Sequence, residues 1–284
     1  DYICREIKDE YGVLKQFAEN TSFSHEFKKL GSLCFEWRDF PKFLKDTRFV
    51  SGYTIDKNIE TLSKEERKLA DIRIYEVLHK HDDKAIGFDV SEYQSEIDWE
   101  QTYHIDESFE LSFVFIRATA GKNKVDSRFK ENWKASKERE LIRGAYHYYR
   151  PNENSIEQAE NFIKTVKLEK GDLPPVLDIE KLPKSQSIDS LKVGLRRWLN
   201  KVEKHYKVKP IIYSGESYYT DFLKEEFSEY PLWIANYNFW RNDLESDWQF
   251  WQFTEKAQIE GIEGMVDVNI FNGNKNKLLL KCIR

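Results

Sequence analysis

No run of eighteen apolar residues occurs in this chain, so it holds no segment suited to crossing a membrane as a helix. Cysteine is scarce, with Cys4, Cys34 and Cys282 the only three, and no CxxC pair or zinc-type spacing is present. An odd count excludes a fully paired intrachain set. One bridge between Cys4 and Cys34 and three unreactive thiols both remain open. The six histidines form no metal-ligand cluster, and no glycine-rich phosphate loop is present. No serine sits in a nucleophile-elbow context that would pair with His147. An excess of basic residues is also lacking: the formal net charge is -5, which argues against a protein that wraps nucleic acid. No metal, cofactor or nucleic-acid partner is therefore expected.

Aromatic residues are abundant, with 8 Trp, 15 Tyr and 19 Phe. They suit a core, and some suit a groove for flat ligands such as sugars. The sequence changes character near residue 84. Residues 1–84 are charge-dense and read as a small helical N-terminal extension of undetermined role. Within it, Ser63 and Glu66 form a capping-box signature ahead of Leu69, Ile72, Val77 and Leu78 at helical spacing. Asn20-Thr21-Ser22 matches a glycosylation sequon, a pattern common by chance.

Residues 85–284 have a different rhythm. Short apolar runs alternate with amphipathic charged stretches. The runs are AIGFDV, FVFIRAT, IRGAYHYY, PPVLDIE, PIIYSG, PLWIANY, WQFWQFT and VDVNIFNG. Between several of them lie helical patterns. One begins after Ser127 and closes at Gly144, one follows Pro151, and one carries Leu191, Leu195, Trp198 and Val202. Alternating β and α elements predict an α/β fold with a parallel sheet and helices outside. Eight strands predict a (β/α)8-like barrel. The last three leave little room for helices, so the outer helix ring is expected to be incomplete.

In such barrels the site lies at the C-terminal ends of the strands. Applied strand by strand, that rule selects Asp89, Tyr146, Tyr148, Asp178, Glu180, Tyr213, Asn236, Tyr237, Trp251, Gln252 and Asp267. His147 alternates with Tyr146 and Tyr148, so it is expected to face outward as a structural residue. Asp178 and Glu180 end PPVLDIE one residue apart, and on a strand they share a face. Polar groups in apolar runs are costly to bury without partners. A rim of carboxylates flanked by aromatics suits glycosidic cleavage, where a leaving oxygen is protonated and positive charge on the sugar carbon is stabilised. Mutual repulsion is expected to keep Glu180 protonated.

The ordered set of segments resembles the glycoside hydrolase family 25 muramidases, the Chalaropsis-type lysozymes. GFDVSEYQSEIDW (87–99) is similar to their opening strand and FVFIRATAG (113–121) to their second. DSRFKENWKASKERELIRGAYHYYRP (126–151), PPVLDIE, PIIYSG, LWIANY, WQFT and VDVNIFNG follow in order, over about residues 85–273. The resemblance implies cleavage of the β-1,4 bond between N-acetylmuramic acid and N-acetylglucosamine in peptidoglycan. It assigns Glu180 as general acid, and Asp178 as the group that orients and polarises the substrate N-acetyl or otherwise stabilises the developing positive charge. It implies a retaining reaction, with the substrate's own acetamide or a carboxylate as the nucleophile. Asp89 and Asp267 complete the acidic rim, and Tyr146, Tyr213 and Tyr237 line the groove. It also implies a secreted or envelope-associated protein, expected as a monomer, with peptidoglycan strands as its partner. Two positions depart from the pattern: Ser95 stands where the family often has glycine, and Ala120 where it commonly has glutamate. A chitinase-like glycosidase and a non-catalytic glycan-binding module are the competing readings.

Overall fold

A computed structural model describes residues 64–105, 108–239, 241 and 243–284. The Cys4–Cys34 question, the Asn20 sequon and the Ser63 cap lie outside the described residues.

Eight strands close into a barrel. They are β1 (Ile86–Val90), β3 (Phe109–Ala120), β5 (Ile142–Tyr148), β6 (Val176–Asp178), β7 (Ile211–Gly215), β8 (Leu232–Ala235), β9 (Trp248–Ala257) and β10 (Val266–Phe271). Two short strands, β2 (His104–Ile105) and β4 (Lys124–Val125), pair with β3 at its two ends. From β1 through β3 and on to β9 every neighbouring barrel pair is parallel. β10 then runs antiparallel to both β9 and β1 and completes the ring. The barrel is thus closed and eight-stranded, but its last strand is reversed, unlike the all-parallel (β/α)8 pattern. The eight residues between β9 and β10 are too few to carry the chain back to the far end of the barrel, so β10 starts near where β9 stops.

Helices α1 (Lys64–Lys80), α2 (Phe129–Glu138), α3 (Ser155–Thr165) and α4 (Ile188–Tyr206) pack outside. Among the described residues no helix separates β8 from β9, or β9 from β10. α1 lies against β9 instead, and its Ile74, Val77 and Leu78 join the same buried core as Trp251 and Phe253. The segment boundary expected at residue 84 falls in the turn after α1, yet this helix shares a core with the barrel.

α4 buries Leu191, Leu195, Trp198 and Val202 on one stripe, and Ser187 caps it by accepting from the Ser190 amide at 3.1 Å. α2 departs from its sequence pattern. Ser127 does not cap it but donates to Glu92 at 2.9 Å, and the helix stops at Glu138. Gly144, expected at the helix end, lies inside β5. A Cβ there would meet the Phe115 ring at 2.5 Å, so only glycine lets β5 approach this packed lumen.

The lower lumen is apolar. Phe113, Phe115, Trp233, Phe250 and Phe271 fill it, with Phe115 and Trp233 stacked at 4.3 Å between centroids. Above this plug the inward side chains turn polar.

Candidate active site

Strand alternation and register decide which side chains meet at the upper rim. Asp89 is an inward residue of β1, one place before its end, and its Cα partner on β10 is Asp267. Because β10 runs the other way, Asp267 reaches this rim from the start of its strand. Had β10 been parallel, as expected, a residue at its start would have lain at the opposite end. Across the barrel, Tyr148, Asp178 and Tyr213 sit in one row on β5, β6 and β7. Glu180 lies two residues beyond Asp178, just past the end of β6. Ile179 between them still donates to the Tyr213 carbonyl at 3.0 Å, so alternation persists and both carboxylates face the site.

One glutamine organises the floor of this rim. Gln252 accepts hydrogen bonds from the Tyr213 hydroxyl at 2.7 Å and from the Tyr237 hydroxyl, and donates to Asp89 Oδ2 at 2.7 Å. Asn269 donates to the same Asp89 oxygen at 2.8 Å and accepts from Trp233 Nε1 at 2.7 Å. Asp89 is therefore a buried carboxylate held by two amide donors, anchored to the aromatic plug below.

Asp178 is buried, and its pKa is raised well above the usual carboxylate value. Burial is the largest cause, followed by the neighbouring charge of Glu180 and a hydrogen bond to it. The sequence expectation put the proton on Glu180, whereas the raised pKa described here is that of Asp178. Asp178 is the deeper of the pair, so desolvation in the free site favours the proton there, donated toward Glu180. The second oxygen, Asp178 Oδ1, is buried without a hydrogen-bond partner. Burial is the largest cause that pushes the Tyr146 and Tyr213 phenols well above their usual value, and surrounding carboxylates, Asp89 and Asp178 among them, add to it.

The remaining expected site residues divide. Tyr146, Tyr148, Tyr213 and Tyr237 belong to the rim. Gln252 sits beneath it as a support. Asn236 is occupied in bracing the loop after β8: its amide donates to Glu216, and its Oδ1 accepts from the Asn238 amide at 2.8 Å. Trp251 is not in the groove. It points outward from β9, fully buried, with Nε1 donating to the Asn236 carbonyl at 3.0 Å and Arg73 over its ring. Adjacent residues on a strand face opposite ways, so Gln252 inward requires Trp251 outward. His147 also faces outward, contacting Thr119 Oγ1 at 2.7 Å and Gln158 Oε1 at 3.1 Å.

Arg117 was not singled out from the sequence. It is buried on β3 and bonds Asp126 at 2.8 Å and Glu92 at 3.1 Å. It also lies under the exposed Tyr93 ring at 4.6 Å. Its charge acts on both Tyr146 and Asp178, which makes it a cation that offsets the acidic rim. The available signal was an arginine embedded in the apolar run FVFIRAT. Ser95 has φ of 55°, which explains why glycine suits that position. Ala120 ends β3 and adds no carboxylate. Among the described residues no three His, Cys, Asp or Glu side chains form a metal-ligand group.

The family model for glycosyl hydrolases family 25 matches residues 88–262. The chain belongs to this family. The match begins at β1 and ends short of β10. YegX of Escherichia coli K12, an uncharacterized protein, is 43% identical over 194 residues, covering 68% of this chain and 71% of that protein. Lysozyme M1 of Streptomyces globisporus is 33% identical over 208 residues, covering 68% of this chain and 69% of that one. A family 25 glycosyl hydrolase from Bacillus anthracis superposes with a TM-score of 0.63 at 30% identity, over 70% of this chain and 94% of that one. As a family 25 member, the protein is a glycoside hydrolase of the muramidase type.

Proposed function

We propose that this family 25 enzyme hydrolyses the β-1,4 bond between N-acetylmuramic acid and N-acetylglucosamine in peptidoglycan, with Glu180 as the general acid. The observation that carries this reading is the paired Asp178 and Glu180 at the barrel rim, with Asp178 Oδ1 buried and unpartnered. A substrate acetamide N–H is the donor this oxygen lacks. Its arrival favours the ionised form of Asp178 and so moves the shared proton to Glu180. Glu180 then protonates the leaving oxygen, as the reaction requires.

Asp178, holding the N–H, aims the acetamide carbonyl oxygen at the sugar carbon. That oxygen forms the new bond as the glycosidic bond breaks, giving a cyclic oxazolinium intermediate. Water, deprotonated by Glu180, opens it with net retention. No carboxylate need attack the sugar. Asp89 and Asp267 supply negative potential toward the developing positive charge. Tyr146, Tyr148, Tyr213 and Tyr237 wall the groove, and Arg117 limits how far the summed negative charge raises the pKa of Asp178. A muramidase meets its polymer in the cell envelope or outside the cell, which places the site of action there.

Mass spectrometry of soluble fragments from digested peptidoglycan, wild type beside Glu180→Gln, tests the reading. Fragments with reducing-end muramic acid from wild type alone support it. Intact walls with wild type, or faster cleavage of chitin oligomers than of peptidoglycan, overturn it.

A further inference from the structure

The structure assigns Arg73, on a helix N-terminal to the matched family segment, as a positioning residue that holds the Tyr237 side of the active-site rim from behind. This inference rests on the proposed activity for its kinetic part and stands on geometry for the rest. Arg73 is buried on α1, and its guanidinium donates to the carbonyls of Asn238, at 3.3 Å, and Arg241. It lies 5.7 Å from the Trp251 ring centroid, and Trp251 donates to the Asn236 carbonyl. Three main-chain acceptors around Tyr237 are thus gripped by two side chains outside the barrel. On the inner side, Tyr237 donates to Gln252, which donates to Asp89. The loop also carries Arg241, which pairs with Glu216 at 3.0 Å, the residue that accepts from Asn236.

The physical logic is specific to this side of the barrel. No helix lies between β8 and β9 among the described residues, so the loop has no crossover element to rest on. α1 supplies the missing surface. Burying a guanidinium is costly, and burial lowers the pKa of Arg73 to about 10, opposed by the charge of Glu76. A methionine or leucine would fill the same space at less cost but could not bond two carbonyls. The charge is therefore explained by what it holds.

The test measures amide hydrogen exchange over residues 236–241, with peptidoglycan cleavage in parallel, for wild type, Arg73→Met, Arg73→Lys, Tyr237→Phe and the Arg73→Met/Tyr237→Phe double variant. Expected for Arg73→Met is at least tenfold faster exchange confined to 236–241. A fall in kcat of about tenfold should accompany it, with partial recovery in Arg73→Lys. The double variant should lose less than the product of the two single losses, because both act through one side chain. Unchanged exchange in a folded Arg73→Met, or a double variant showing the full product, overturns the assignment. If Arg73→Met does not fold, Arg73→Lys and Trp251→Phe each remove part of the grip, and unchanged exchange in both overturns it equally. The exchange readout needs no substrate, so an inactive wild type would refute the proposed function while leaving this assignment to be decided separately.

Discussion

Replacing Glu180 by glutamine should cripple the enzyme and at the same time stabilise the fold. The substitution keeps volume and a hydrogen-bond acceptor and removes one negative charge beside buried Asp178. The Glu180 charge is one of the causes that raise the Asp178 pKa, so its removal lowers that pKa and relieves part of the cost of holding Asp178 protonated. Each pKa unit recovered is worth about 1.4 kcal/mol. For a protein of this size one such unit corresponds to a rise in Tm of roughly 3–6 °C. The pH dependence follows from linkage. Asp178 has a raised pKa in the fold, so its contribution is fully present below the ordinary carboxylate value and is lost as pH rises toward the folded value. Removing the Glu180 charge lowers the folded value. The gain is therefore absent near pH 3–4 and grows toward neutrality. Loss of a general acid should lower kcat by about 10²–10⁴-fold. Calorimetry of both proteins from pH 4 to 8, beside fragment release from walls, reads both effects. A Glu180→Gln protein that melts lower than wild type at pH 7, or keeps more than a tenth of wild-type kcat, would overturn this expectation.

Ser95→Gly should raise stability by about 1–2 kcal/mol, because Ser95 holds a φ of 55° that glycine adopts without strain; urea unfolding checks it. Gly144→Ala should cost about 1–3 kcal/mol by overpacking against Phe115, read in the same assay. His147 is fully buried and its pKa falls from 6.5 to about 3, chiefly through burial. Its neutral form is thus worth stability above pH 6.5 that is lost as pH falls, up to roughly 4–5 kcal/mol near pH 3. His147→Gln should flatten that part of the stability profile. Trp251→Ala should cost about 3–5 kcal/mol of stability as a core truncation, as denaturant melts would show.

The strand set, the polar strand ends and the spacing that puts Asp178 and Glu180 on one face were legible from the residues alone. Period-two alternation is a local property of the backbone, so those facts needed no tertiary information. What alternation could not decide is which face of a strand is the lumen. In this barrel both faces are buried, one under helices and one around the aromatic plug, so hydrophobicity marks neither. That is why Trp251 and Gln252, neighbours in WQFT, both looked like groove residues until the structure sent one outward and the other inward. The same ambiguity affected Asn236 beside Tyr237. Strand direction was equally hidden: VDVNIF reads the same for a parallel or antiparallel neighbour, and only pairing with β1 and β9 brings Asp267 opposite Asp89. The protonation preference within the carboxylate pair also waited for depth, since two acids one residue apart are alike in sequence and differ only in how far each lies from water. The docking of α1 on β9 belongs with these, because its amphipathic pattern shows an apolar face and only the assembled barrel shows the wall that lacks a helix.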